Sequence, residues 1–144
     1  MRRILLAFLP ALLLTHIVGS VLATQLILAE VRRMGVPVTL PDRLLVTAQD
    51  IVGLAGSYLP LLLPTLAAAF CIAVPLGRWL PLLRGLLYPL SGALAVLGLH
   101  HGARELLGFS PLAATREDIG MALQAAAGWV GGYAFLLFTG QARR

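Results

Sequence analysis

Three histidines carry the most specific chemistry this 144-residue chain could offer. His16 falls in the middle of a long apolar run, and His100-His101 closes another. Imidazole is the usual axial ligand of haem in membrane cytochromes, so a haem or metal site is the first function to weigh. The spacing argues against it. His16 is expected near mid-membrane and the other two at the outer end of their span. At 1.5 Å rise per residue the difference in depth is about 10–15 Å, too far for one iron. Adjacent residues also point in different directions around a helix, which separates His100 from His101. The expectation is therefore no cofactor and no metal, with His16 as a hydrogen-bonded packing residue and His100 with His101 as an interfacial pair.

Carboxylates offer little more. Asp50 and Asp118 each stand immediately before an apolar run, where an acid in the first turn complements the helix dipole. No Ser-His or metal-ligand spacing accompanies them, and no acid lies deep in an apolar run, so proton-coupled export through a buried carboxylate is not expected. Cys71 is the single cysteine, which excludes internal dithiol chemistry and fits a small buried apolar residue. No catalytic residue is assigned, and the chain is expected not to be an enzyme.

The polar residues of the first run form a stripe. His16, Ser20 and Thr24 recur at i, i+4 and i+8, flanked by Gly19 and Ala23 at small-xxx-small spacing. Lipid offers no hydrogen-bond partner, so this face is expected to turn inward. With Tyr58 and Ser91 it makes either a polar packing seam or the lining of a pore, and packing is the commoner use of such residues.

The elements that must position these groups are four transmembrane helices, expected over 4–29, 51–76, 79–101 and 119–140. Each covers the ~20 apolar residues that cross ~30 Å of hydrocarbon, the third with a weaker lead-in from Trp79. The composition agrees: 59% of residues are hydrophobic and 12% are charged, where soluble domains are roughly a quarter charged. The fold class is all-α, an integral membrane four-helix transmembrane bundle forming a single domain over 1–144. Met1-Arg2-Arg3 and the apolar run after it also resemble a secretory signal ending at Val21-Leu22-Ala23, but apolar character continues to Ala29, and an uncleaved first helix is expected. Gly92 in the third helix, and Gly128 and Gly132 in the fourth, are expected at close helix contacts. Pro60 and Pro64 predict a kink near Tyr58–Pro64. Gly35 to Asp42, with two prolines, predicts a short extended segment followed by a helix capped by Asp42 or Thr47, and Ser110-Pro111 predicts another helix start. Thr47 and Thr115 both open a Thr-x-x-Asp-Ile motif, read as shared helix-start chemistry in preference to an internal duplication.

Charge sets the orientation. One side carries Arg2, Arg3, Arg78, Arg84, Arg143 and Arg144 and no acid; the other carries five arginines and all six acids. The count of basic residues is nearly even, and the pair flanking the first helix tips it towards both termini in the cytoplasm. Asp50, Arg104 and Asp118 are expected to pair between loops at the outer surface. The arginines stand singly or in pairs at the ends of apolar runs, a placement for lipid headgroups and not for nucleic acid. The expected partners are the bilayer and other membrane subunits or a second copy. The expected setting is a bacterial inner membrane, from the Arg-only, Ala/Leu/Gly-rich composition. The expected role is an accessory, assembly or interaction subunit of a membrane complex. A small carrier or pore for a neutral or lipidic molecule, lined by the polar face of the first helix, is the alternative.

Overall fold

The structure, a computed structural model, describes residues 2–108 and 110–141. Four helices make up nearly all of it: α1 (Arg2–Arg33), α2 (Leu40–Trp79), α3 (Arg84–Leu107) and α4 (Asp118–Gln141). Each is long and apolar enough to cross a membrane, and no strand occurs among the described residues. The chain is a helical multi-pass membrane protein. In hydrocarbon every backbone N–H and C=O must be bonded within its own segment, which a helix achieves and an open strand does not.

The helices lie in a ring in chain order, each packed on its two neighbours, with α4 closing against α1. One end of the bundle holds the start of α1, the α2–α3 turn and the end of α4; we call it the first end. The other, second end holds the α1–α2 and α3–α4 connections. Arg143 and Arg144, counted above for orientation, lie outside the described residues.

Helix limits differ from those expected because local capping, not hydropathy, sets them. α1 runs on to Arg33 and stops at Gly35, whose φ of 87° is open to glycine at low cost. The Gly35 amide donates to the Arg32 carbonyl and the Val36 amide to the Val31 carbonyl, the Schellman arrangement that satisfies the last carbonyls of a helix. α2 then starts at Leu40. Thr39 is its N-cap and forms a reciprocal box with Asp42, so neither Asp42 nor Thr47 is the cap. The expected extended segment shrinks to residues 36–39. α2 spans 40 residues, about 60 Å, and continues without interruption through Pro60, Pro64 and Pro75. Trp79 closes α2 instead of opening the third helix. Ser110-Pro111 does not start a helix; a single 3-10 turn at Ala113–Arg116 precedes α4. Thr47 therefore sits inside α2 while Thr115 lies in that turn, bonded to the Leu112 carbonyl. The two Thr-x-x-Asp-Ile copies do not share a local structure.

The interior has two layers. Towards the first end it is apolar and aromatic: Phe70 and Phe135 stack at 4.1 Å between ring centroids, with Phe8 against the first and Tyr88 against the second, both edge-on. Towards the second end the core turns polar. Packing is tightest where α4 meets its neighbours. A Cβ on Gly92 would overlap the Gly128 carbonyl, one on Gly132 the Tyr88 carbonyl, and one on Gly131 the Thr15 hydroxyl. These glycines let three backbones approach closely where dispersion, not water exclusion, drives helix association.

Candidate functional site

The polar layer is built from one or more side chains of every helix. Tyr58 of α2 stands at its centre, with a relative exposure of 1%. Its hydroxyl donates to Oε1 of Gln124 on α4 at 3.1 Å and lies 3.2 Å from Nε2 of His100 on α3. The Gln124 amide nitrogen in turn donates to the Gly19 carbonyl of α1 at 2.9 Å. One phenol thus joins α2, α3 and α4, and one amide extends the chain to α1. A phenol has a single proton. Since it goes to Gln124, His100 must carry its proton on Nε2, and its Nδ1 is left as an acceptor.

His16 approaches the same centre from α1. Its ring centroid lies 6.1 Å from that of Tyr58, and that of His100 lies 5.7 Å away on a stacked geometry. The two histidines expected at separate depths thus flank the same phenol. α3 continues past the apolar run to Leu107, which carries His100 into the core at 1% exposure, while His101 faces outward. The interfacial histidine pair does not exist. His16 Nε2 reaches the Ile51 carbonyl at 2.9 Å, an acceptor that fixes the proton on that nitrogen. Among the described residues, His16 Nδ1, Ser20 Oγ and His100 Nδ1 are buried and have no hydrogen-bond partner. All three belong to this one layer.

From it a polar seam runs between α1 and α2 to the second end. Thr24 Oγ1 lies 2.8 Å from the Ser20 carbonyl and 2.7 Å from Asp50 Oδ2. Gln25 donates to Thr47 at 2.9 Å and accepts from Arg43 at 2.6 Å. The stripe His16, Ser20, Thr24 does turn inward, and Gly19 and Ala23 are buried beside it. Gly19 makes room for a side chain rather than a backbone: an added Cβ would sit 2.8 Å from Gln124 Oε1. Ser91 is not part of the layer; it is half-buried and donates to the Tyr88 carbonyl of its own helix.

The expected outer-surface pairing of Asp50, Arg104 and Asp118 is not formed. Asp50 is taken by Thr24, Arg104 and Asp118 are exposed, and the ion pair among the described residues is Arg33 with Glu30 within α1. The physical reason is position: with α2 starting at Leu40, Asp50 lies within the helix beside α1 and not on a loop. Gln124 was overlooked in the sequence. Its signal was available, as the one amide inside the apolar stretch of the fourth helix. No group of three or more His, Cys, Asp or Glu residues is arranged to hold a metal ion among the described residues.

A second feature lies on the outside of α2. Gly53, Gly56, Ser57, Pro60, Pro64, Ala68, Cys71 and Pro75 are all exposed and fall on one side of the helix. None is larger than cysteine or proline, although a lipid-facing side ordinarily carries large aliphatic residues. A Cβ on Gly53 or Gly56 would meet nothing within 4 Å among the described residues, so packing within the bundle does not demand these glycines. Pro60 and Pro64 also lack the amides that would bond the Gly56 and Pro60 carbonyls on this same side. No family model matches the chain, and neither a curated protein nor a solved structure was found similar to it.

Proposed function

We propose that this chain is a non-catalytic accessory or interaction subunit, docking through the outer face of α2 with a transmembrane helix of another subunit or of a second copy. The supporting observation is that small-residue face. Glycine, serine and alanine at helix-packing spacing let a second backbone approach, and carbonyls stripped of their helical donors by proline are costly against lipid but satisfiable by a neighbouring helix. The setting that fits is a bacterial inner membrane with both termini cytoplasmic, on the placement of Arg2 and Arg3 at the start of α1 and the absence of acids from that end. On this reading the polar layer is an internal clamp that fixes how α2 is presented.

The test is photocrosslinking in the native membrane from single positions on this face (Gly53, Ser57, Pro64, Ala68), with Leu9 and Leu13 on the exposed side of α1 as controls. The reading predicts one defined polypeptide adduct from the α2 positions and lipid adducts from the controls. Lipid adducts from both sets would refute it.

A carrier or pore for a small neutral molecule is the second reading, favoured by the unpartnered His16 Nδ1, Ser20 Oγ and His100 Nδ1. Against a through-path stands the Phe70–Phe135 layer that fills the core towards the first end. Substituting Ser20 and Thr24 together by Ala separates the readings: a clamp loses stability or assembly, whereas a carrier changes flux while staying folded.

A further inference from the structure

We infer that the cleft between α1 and α2 near the first end binds one anionic phospholipid, its acyl chain inside the cleft and its headgroup at the level of Arg78. The two helices are tied by hydrogen bonds from His16 to Arg43, but towards the first end they part around a cavity of about 430 Å³. That volume is typical of clefts that hold small ligands, roughly 300–1,000 Å³. Its lining is apolar throughout, with Phe8 from α1, Ala67, Phe70, Cys71 and Val74 from α2, and Phe135 of α4 at its floor. Leu5 of α1 and Leu63 of α2 are exposed and form its rim, and the buried rings of Phe70 and Phe135 close it towards the bundle interior.

Charge selects the occupant. One helical turn beyond Val74 stands Arg78, exposed, and α1 opens with Arg2 and Arg3 immediately before the lining residue Ile4. All six acids of the chain lie in segments at or leading to the second end, so nothing at this end opposes a phosphate. Trp79, 87% exposed, marks the headgroup level beside Arg78. Basic residues at the mouth of an apolar cleft between transmembrane helices are the arrangement that holds anionic lipid headgroups. A helix, about 10–12 Å across, would not enter without separating α1 from α2, whereas an acyl chain does. The cleft adjoins the docking face proposed above and shares Cys71 with it, but its test reads bound lipid and not a polypeptide partner.

The test is native mass spectrometry of the full chain released from vesicles of equal phosphatidylethanolamine and phosphatidylglycerol. One phosphatidylglycerol is expected to remain bound in preference to phosphatidylethanolamine. Arg78→Gln is expected to lower that retention about fivefold, the effect of one basic residue near a membrane surface. Ala67→Trp, which fills the cleft, is expected to abolish it, with an unchanged circular dichroism spectrum and elution volume confirming that the variant is folded. Equal retention of the two lipids, or a phosphatidylglycerol adduct that survives both substitutions, would overturn the inference.

Discussion

Tyr58 offers the sharpest perturbation of the polar layer. Tyr58→Phe keeps the ring that stacks on His100 and removes only the hydroxyl. Two interhelical contacts go with it, to Gln124 Oε1 and to His100 Nε2. Interhelical hydrogen bonds in membrane proteins average about 0.6 kcal/mol and reach about 1.7. The substitution also strands the Gln124 oxygen and the His100 N–H in a buried site, and an unsatisfied group there costs about 1–3 kcal/mol. Some of that is relieved if either side chain rotates, so the expected loss is about 2–4 kcal/mol. Gln124→Leu is expected to cost less, about 1–2 kcal/mol, because the Gly19 carbonyl keeps its own helical donor and Tyr58 keeps His100. With both groups removed, no Gln124 oxygen remains to be stranded. The double variant is therefore expected to fall short of additivity by about 1 kcal/mol. Unfolding in mixed detergent micelles titrated with sodium dodecyl sulfate, followed by circular dichroism, measures all four corners of the cycle. Additivity within about 0.3–0.5 kcal/mol is what independent sites give, and that result would refute the coupling of α2 to α4 through this phenol.

Three further outcomes follow from the same geometry. Gly92→Ala or Gly132→Ala is expected to destabilise the bundle by at least about 1–3 kcal/mol in the same titration, since either Cβ overlaps a backbone carbonyl of the facing helix. Gly53→Ala, on the open side of α2, is expected to leave the isolated chain unchanged or up to about 1 kcal/mol more stable through helix propensity, while weakening any partner contact seen by crosslinking. Thr39→Ala removes the capping box of α2 and is expected to cost about 0.5–2 kcal/mol, with faster amide exchange confined to the first turn of that helix.

Several site residues were legible before the fold was known, and the reason differs for each. The stripe His16, Ser20, Thr24 was readable because helical periodicity is local and because lipid leaves buried polar groups only one direction to face. Gly92, Gly128 and Gly132 were readable as close contacts for the same local reason, though not which backbone each would meet. His100 was misplaced because the end of an apolar run was taken as the end of the helix. α3 carries on for almost two more turns through Arg104 and Glu105, so His100 lies buried within the helix and not at its outer end. Asp50 was misread for the matching reason on α2: the Thr39–Asp42 cap, weak as a sequence signal beside two prolines, starts the helix well ahead of its apolar part.

The sequence by itself determined that there are four membrane-spanning helices, which side of the first is polar, and that the charges gather at the ends, because transfer from water to hydrocarbon acts on each segment separately. Only the tertiary structure decided that Tyr58, His100, Gln124 and His16 converge, that Phe70 and Phe135 fill the core below them, and that the side of α2 from Gly53 to Pro75 is left both small and uncovered. Those outcomes depend on the rotation and depth of each helix against its neighbours. Glycine-to-carbonyl contacts and a few interhelical hydrogen bonds between residues far apart in the chain set them, and no local pattern records such contacts.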